Sequence, residues 1–425
     1  MSALIFLFTA ILFRSLSVHD LGVWFFFTTY ISFLDTFRQG FLSTAFIKFF
    51  AGTSLEQGRE VIGSTWYIAT VITIIFVLLN LPLLFILDNV SDDSLRYFFK
   101  YFSINLVFSL PMILAMCIAQ AKLRFDQLMY IRLCQVSLLI GLLCLLVYLN
   151  IATLDNLMYV NLLASFGTSL FCILMGWSGI KFFFFKNRHR TLEIFNFGKY
   201  TVGTSISSNL FGLTDTTVMN FMIGPSALAI YNLGKKFMEL IEIPLRSFTA
   251  TAMPTLAVAY NSGNKAEVIA VMKKYIGMVT IGIIPVIFIS YLLAPFLMGL
   301  IGGGQYKDTV AGEMAVVIFR ILLIFSLLSP ADRFSAVALD AIHKPQINFY
   351  KVMIMLLVNV VSDIIGVYIF DNVYGVVVVS IFPVMVALLI SNKYLQDYHR
   401  YNFSAIYSTG FKEIKNFINQ TLNKS

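Results

Sequence analysis

Lys181-Phe182-Phe183-Phe184-Phe185-Lys186-Asn187-Arg188-His189-Arg190 is the most basic connection in the chain, and apolar spans adjoin it at about 156–180 and 194–223. Outward from there, similar spans recur at 128–149, 97–121, 61–87, 22–47 and 2–18 on one side. On the other they lie at 226–258, 266–293, 311–339, 346–370 and 373–395. Spans of about twenty residues suit helices crossing a bilayer, whereas a barrel needs about ten residues of strict alternation. Composition agrees. Of 425 residues, 59% are hydrophobic and 12% charged, against roughly 25% charged in an ordinary soluble domain; mean hydropathy is +0.84. A water-soluble globule has too little polar surface to cover that much apolar material. The same numbers exclude disordered, collagen-like and disulfide-scaffold chains.

The connections carry an orientation signal, because Lys and Arg collect on the cytoplasmic side. Even-to-odd connections hold Lys48 and Arg59; Lys122, Arg124 and Arg132; the 181–190 cluster; Lys265, Lys273 and Lys274; and Lys344 and Lys351. The tail adds Lys393, Arg400, Lys412, Lys415 and Lys424. Odd-to-even connections are dominated by acids such as Asp88, Asp92, Asp93, Asp155 and Asp371. Both termini are therefore expected in the cytoplasm. The first span begins almost at Met1 without a basic leader or cleavage site, so a signal peptide is not expected, and part of helix one is expected to be missing from the reading frame. Ile406, Phe411, Ile414, Phe417, Ile418 and Leu422 fall near helical spacing among lysines, which predicts an amphipathic helix on the inner leaflet or a cytoplasmic cap.

The 181–190 connection separates six spans from six. An offset of 207 residues superposes the halves without a gap: Leu21 on Leu228, Phe41 on Phe248, Thr44 on Thr251 and Ala45 on Ala252. Glu60-Val61-Ile62 falls on Glu267-Val268-Ile269, and Asp35 on Glu242. Six helices restore the same membrane orientation, so these are parallel repeats, an arrangement used by transporters. The expected fold is thus all-α and polytopic: 12 transmembrane helices in two six-helix bundles, related by pseudo-two-fold symmetry along the membrane normal around a central cavity. The expected divisions are an N-terminal bundle at 1–180, a cytoplasmic linker at 181–193, a C-terminal bundle at 194–395 and a cytoplasmic amphipathic tail at 396–425.

Charges inside spans are costly and call for a wet cavity or a partner. Asp35 and Arg38 lie in span two, Lys199 and Asp215 in span seven, Arg320 in span ten. Span eight carries Lys235, Lys236, Glu239, Glu242 and Arg246. Positions 235, 239, 242 and 246 share one stripe of a continuous helix. A structural alternative is self-neutralisation through Glu242–Arg246 and, less favourably, Lys235–Glu239; Asp35–Arg38 alone reads as a local brace. Taken together, Arg38, Lys199, Lys235, Lys236, Arg246 and Arg320 outnumber Asp35, Asp215, Glu239 and Glu242, and surplus cations point to an anionic ligand in the cavity. The four acids are candidates for ion coupling, by proton or sodium, or for charge balance. Asp332-Arg333 after Pro330 suggests a helix break at the cytoplasmic end of span ten, and Pro244, Pro254 and Pro285 should kink their helices.

Catalytic patterns are missing. His19, His189, His343 and His399 lie in or near connections without carboxylates at metal spacing, and Gly302-Gly303-Gly304 lacks the Lys-Ser/Thr of a phosphate loop. Cys117, Cys134, Cys144 and Cys172 all fall within apolar spans and read as small core side chains. No enzyme activity, metal or cofactor is expected.

Several stretches resemble the polysaccharide and O-antigen flippases of the multidrug/oligosaccharidyl-lipid/polysaccharide exporter superfamily. Ile11-Leu-Phe-Arg-Ser-Leu-Ser-Val-His-Asp-Leu-Gly22 resembles the end of their helix one, and Gly40-Phe-Leu-Ser-Thr-Ala-Phe-Ile-Lys48 their helix-two exit. The most specific likeness is Asp215 in mid-helix followed by Ile223-Gly-Pro-Ser-Ala-Leu-Ala-Ile-Tyr231 and Pro254. Ala341-Ile-His-Lys-Pro-Gln-Ile-Asn348 and the Gly375 region also fit. The clipped first helix and Ala229, where Gly is common, depart from the pattern. The resemblance implies a flippase moving an undecaprenyl-diphosphate-linked oligosaccharide, an O-antigen or capsule repeat unit, by alternating access across a bacterial inner membrane. Its implied partners are the polyprenyl-diphosphate-linked glycan, membrane lipids and glycan polymerase machinery, with no nucleic acid. Its rivals are a multidrug or cation antiporter of the same superfamily, which would favour an acid-rich cleft, and a membrane glycosyltransferase or polymerase, which would want a long outside loop. A peptidoglycan-precursor flippase would usually carry fourteen spans.

Overall fold

Each apolar span becomes a helix or a broken pair of helices in the computed structural model, which describes residues 2–50, 53–402 and 405–422. Side chains at 2, 200, 201, 203–205, 207, 208, 240, 414 and 416–422 lie outside the description. The first half runs α1 (Ser2–Ser15), α2 (Val18–Phe50), α3 (Leu55–Phe85), α4 (Asp93–Ala121), α5 (Phe125–Tyr148) and α6 (Leu154–Leu174). The second runs α7 (Arg188–Met222), α8 (Pro225–Lys236), α9 (Met238–Asn261), α10 (Lys265–Leu292), the short α11 (Ala294–Gly302), α12 (Val310–Phe325) and α13 (Ser329–Ala341). It ends with α14 (Pro345–Phe370), α15 (Val373–Val379), α16 (Ile381–Tyr398) and α17 (Ala405–Leu422). The protein is an all-helical, multi-pass membrane protein.

Eight elements are long and apolar enough to cross a bilayer by length and composition: α3, α4, α5, α6, α10, α12–α13, α14 and α15–α16. The other four spans are the short α1 and the helices that carry the charges, α2, α7 and α8–α9. Large apolar side chains such as Leu79, Phe288 and Leu357 are about two-thirds exposed. Only a lipid solvent makes such surfaces tenable. Helix starts are capped by polar side chains, with Asp92 accepting from the Leu95 N–H at 2.8 Å and Asn264 from the Glu267 N–H at 3.2 Å.

Three spans are each broken into two helices. Pro383 cannot donate the hydrogen bond that would join α16 to the last turn of α15, and α15 stops at Val379. Pro330 sits in the first turn of α13, where a missing N–H costs nothing. That break, at residues 326–328, falls in mid-span rather than at the span's end. The third break is at Phe237, between α8 and α9.

The chain forms two compact units, Met1–Asn220 with Gly224–Ala229, and Phe221–Ile223 with Ile230–Ser425. The boundary between these packing units lies at the end of α7. Within the first unit α7 is fastened by backbone approach and by polar contacts. A Cβ at Gly198 would sit 2.5 Å from the Phe41 carbonyl oxygen, Tyr30 and Thr217 share a hydrogen bond of 2.8 Å, and Ser94 donates to Asn220 at 2.6 Å. The Phe-rich connection is itself structured. Residues Ile180–Phe185 form a 3-10 turn laid on α3, where a Cβ at Gly63 would meet the Phe182 carbonyl at 2.4 Å. Trp66 donates to the Ser178 carbonyl at 2.8 Å, and Lys186 lies 4.0 Å from the centre of the Tyr67 ring.

The repeat shows in burial. Leu21 and Leu228, Ala45 and Ala252, and Val61-Ile62 and Val268-Ile269 are all buried. Phe41 is buried but Phe248 is not.

The tail helix α17 packs along α10 in the second unit. A Cβ at Gly277 would fall 2.4 Å from the Ile406 carbonyl and one at Gly410 2.2 Å from Gly277, while Lys274 pairs with Glu413 at 2.7 Å. Of the apolar residues expected on its buried face, Ile406 is buried and Phe411 is exposed; the side chains of Ile414, Phe417, Ile418 and Leu422 lie outside the described residues. Gly410→Leu should lift α17 from α10, since neither backbone can yield the space. Faster proteolytic release of the tail, with the rest of the chain intact, is the expected result; unchanged cleavage would contradict the glycine crossing.

Candidate functional site

In the second unit the charged stretch of span eight straddles the break at Phe237, whose ring is buried 5.7 Å from Phe319 of α12. Close approach fixes the end of α8 there, because a Cβ at Gly234 would sit 2.7 Å from Ile318. The break corrects the single continuous stripe. Lys235 and Lys236 end α8, whereas Glu239, Glu242 and Arg246 belong to α9. Glu239 accepts from Lys236 at 2.9 Å rather than from Lys235, and Arg246 donates to Glu242 at 2.5 Å across one turn. Lys235 lies 3.4 Å from the Tyr231 hydroxyl and 5.2 Å from its ring centre.

Neither pair is enclosed by the protein, although Lys236 is only 16% exposed. Arg246 is 75% exposed and Glu242 45%, a setting in which an ion pair contributes about 0–1 kcal/mol. A phosphate, with more acceptor oxygens and more charge, can displace such a carboxylate. Arg320 on α12 donates to the Tyr291 carbonyl at 3.3 Å and stacks 4.8 Å from that ring. The second unit thus presents Lys235, Lys236, Arg246 and Arg320 against Glu239 and Glu242.

The first unit treats its charges differently. Arg38 is fully buried, and its guanidinium donates to Asp35 at 2.5 Å, Ser109 Oγ at 2.6 Å, the Leu106 carbonyl at 2.7 Å and Thr73 Oγ1 at 3.4 Å. With both terminal nitrogens engaged inside the bundle, Arg38 is a brace between α2, α3 and α4 and not a ligand-facing cation. Lys199 is exposed on α7 beside Asn196 at 3.3 Å. Asp215 is half-buried farther along the same helix, roughly 24 Å away at 1.5 Å per residue. Within the first unit, Lys199 and Asp215 are therefore two separate positions on α7. Lys235, Lys236 and Arg246 lie on the adjoining helices α8 and α9, and Arg320 lies on α12 beside Tyr291.

The structure also holds a pair that sequence reasoning missed. Lys351 is only 3% exposed in its side chain and donates to Asp332 at 3.0 Å, joining α14 to α13. Because α14 begins at Pro345, Lys351 lies nearly two turns inside the helix instead of in a connection. Pro345, a favoured first-turn residue, was the available signal. In the first unit a cleft of about 490 Å³ is lined by His19, Asp20, Asp93, Arg96, Lys100 and Asp155 among others. With Asp88, its four acids outnumber Arg96 and Lys100, so it does not concentrate cations, and Asp155 is held by Tyr97 at 2.9 Å, Tyr101 at 3.0 Å and Lys100 at 3.2 Å. No cluster of metal-ligand side chains occurs among the described residues.

A family model described as "Polysaccharide biosynthesis protein" matches residues 11–311. The chain belongs to this family. Solved structures share the fold of this polysaccharide biosynthesis protein at low identity. The lipid II flippase MurJ in an inward closed conformation superposes with a TM-score of 0.77 at 15% identity, covering 100% of this chain and 91% of that one. An inward-facing multidrug resistance MATE family transporter of the MOP superfamily gives 0.75 at 15%, covering 94% and 95%. A MOP superfamily transporter from Pyrococcus furiosus gives 0.60 at 15%, covering 93% of each chain. A search of curated proteins finds no match. The likeness to these solved structures, each 15% identical, is one of fold.

Proposed function

We propose that the protein is a flippase for an undecaprenyl-diphosphate-linked oligosaccharide, an O-antigen or capsule repeat unit, moved from the cytoplasmic to the periplasmic leaflet of a bacterial inner membrane. The observation that carries this reading is a polysaccharide biosynthesis family assignment on a chain with a lipid II flippase fold and exposed surplus cations at α8–α9. A diphosphate carries about two negative charges, and leaving water costs it several kcal/mol per charge unless charged donors replace its hydration. Arg246 and Lys236 can exchange carboxylate partners for phosphate oxygens, and Lys235 and Arg320 add charge-assisted donors. The polyprenyl tail stays in lipid throughout, so only the head group has to be escorted. Alternating access then needs no covalent chemistry and no cofactor. A proton or sodium gradient could energise it through Asp215, Glu239 or Glu242. Cytoplasmic termini follow from the Lys and Arg asymmetry of the connections.

Multidrug or cation antiport is the second reading, one structural neighbour being a multidrug resistance transporter, and it wants acids where this chain concentrates cations. Proteoliposomes separate the two. The purified chain should move a fluorescently tagged undecaprenyl-diphosphate glycan between leaflets, read by quencher accessibility, and should not extrude ethidium. Ethidium transport without glycan movement would reverse the assignment.

A further inference from the structure

Inside the first unit, between α2, α4, α5 and α6, lies a hollow of about 270 Å³ whose walls are polar although it sits among apolar helices. Its lining includes Ser32, Asp35 and Gln39 on α2, Asn105 on α4, Gln135 on α5 and Asn161 on α6. The side-chain amides of Gln39, Asn105, Gln135 and Asn161 have no hydrogen-bond partner among the described residues. Each amide offers two donors and a carbonyl acceptor, and leaving such groups unmatched within a membrane bundle is costly. Four, each from a different helix, converging on one space call for an occupant rich in both donors and acceptors.

Charge narrows the choice. The one carboxylate on the wall, Asp35, is already paired with the buried Arg38 behind it, so the hollow is close to neutral. An anion entering there would face Asp35, and a cation would meet a carboxylate already neutralised by the guanidinium behind it. Size narrows it further. At roughly 30 Å³ per water the hollow holds about nine, and it is slightly smaller than the roughly 300 Å³ lower limit of ordinary ligand pockets. That is room for one ring, not a repeat unit.

We propose that this hollow is a subsite for a single uncharged sugar residue, a neutral hexose or an N-acetylhexosamine, held by the amides of Gln39, Asn105, Gln135 and Asn161. The inference rests on the flippase reading for the source of the sugar, which would be the glycan of the lipid-linked substrate. The α8–α9 cations would then serve the diphosphate, and α2, α4, α5 and α6 of the first unit would choose among glycans.

Saturation-transfer NMR on the full chain in detergent tests this, with methyl β-galactoside, methyl N-acetyl-β-glucosaminide and methyl β-glucuronide as probes. At least one neutral glycoside should receive saturation and the glucuronide none. Gln135→Leu and Asn161→Leu should each weaken binding roughly three- to tenfold, and together they should abolish the signal while the thermal melting profile shows the chain folded. Lys235→Ala should leave the signal intact. Silence from both neutral glycosides, equal saturation of the glucuronide, or a signal surviving the double substitution would each overturn the proposal. So would stabilisation by sodium over choline that the same substitutions remove, which would assign the hollow to a cation. Glycoside contact is read without transport. A chain that binds glycoside but fails in proteoliposomes loses the flippase reading only, and one that transports without binding loses this one.

Discussion

Asp35→Ala is expected to destabilise the protein by about 3–5 kcal/mol, because it strands a buried guanidinium without its counter-charge. Arg38 is the largest of the fully buried side chains. Its remaining acceptors are the Leu106 carbonyl and the hydroxyls of Ser109 and Thr73, all neutral, and its Nε has no partner among the described residues. Asp35→Asn should cost less, since the amide oxygen still accepts while the charge is lost. Arg38→Lys should fail to rescue, because an ammonium cannot fork to acceptors on two other helices. The diagnostic variant is Asp35→Asn with Arg38→Met, which removes the buried charge outright. It should melt closer to wild type than Asp35→Ala does, because a buried pair replaced by apolar volume is often neutral, whereas a broken pair is not. Thermal unfolding in detergent reads all four. A double variant no better than Asp35→Ala would mean that the network stabilises through its geometry alone.

That network marks the limit of what the sequence reveals. The twelve spans were legible because apolar runs of bilayer length admit few other structures, and each found its helix or helix pair. Breaks were less legible. Pro383 and Pro330 could be seen, but Pro244, Pro254 and Pro285 lie inside helices that continue past them, while α8 parts from α9 at Phe237, which carries no breaker signal. Charge was least legible, since a one-dimensional pattern cannot say whether Arg38 turns inward or toward a cleft. Helical spacing did hold a clue. Thr28, Ser32, Asp35 and Gln39 recur every three or four residues along α2, as Asn161 and Ser165 do on α6, and all line the polar hollow. Uncharged side chains in that stripe attract less notice than ionised ones, although in a membrane they carry much the same message.

Removing both Lys235 and Arg246 by alanine substitution should slow transfer of the lipid-linked glycan at least about a hundredfold, from two charge-assisted hydrogen bonds of about 1.5–3 kcal/mol each. Folding should barely change, because exposed ion pairs such as Arg246–Glu242 contribute at most about 1 kcal/mol. That separation of transport from stability distinguishes a ligand-facing cation from a brace, and Glu242 supplies the control. If Arg246 exists to hold Glu242, then Glu242→Gln should impair transport as much as Arg246→Gln does. If instead Glu242 only occupies Arg246 until phosphate arrives, Glu242→Gln should leave transport intact or raise it. The exchanged pair, Glu242→Arg with Arg246→Glu, sharpens the test. It rebuilds the ion pair and keeps the net charge, yet moves the cation one turn, about 6 Å along the helix axis. A brace tolerates that exchange. A phosphate ligand does not, so transport restored in the exchanged protein would remove Arg246 from the site and leave Lys235, Lys236 and Arg320 to account for the anion.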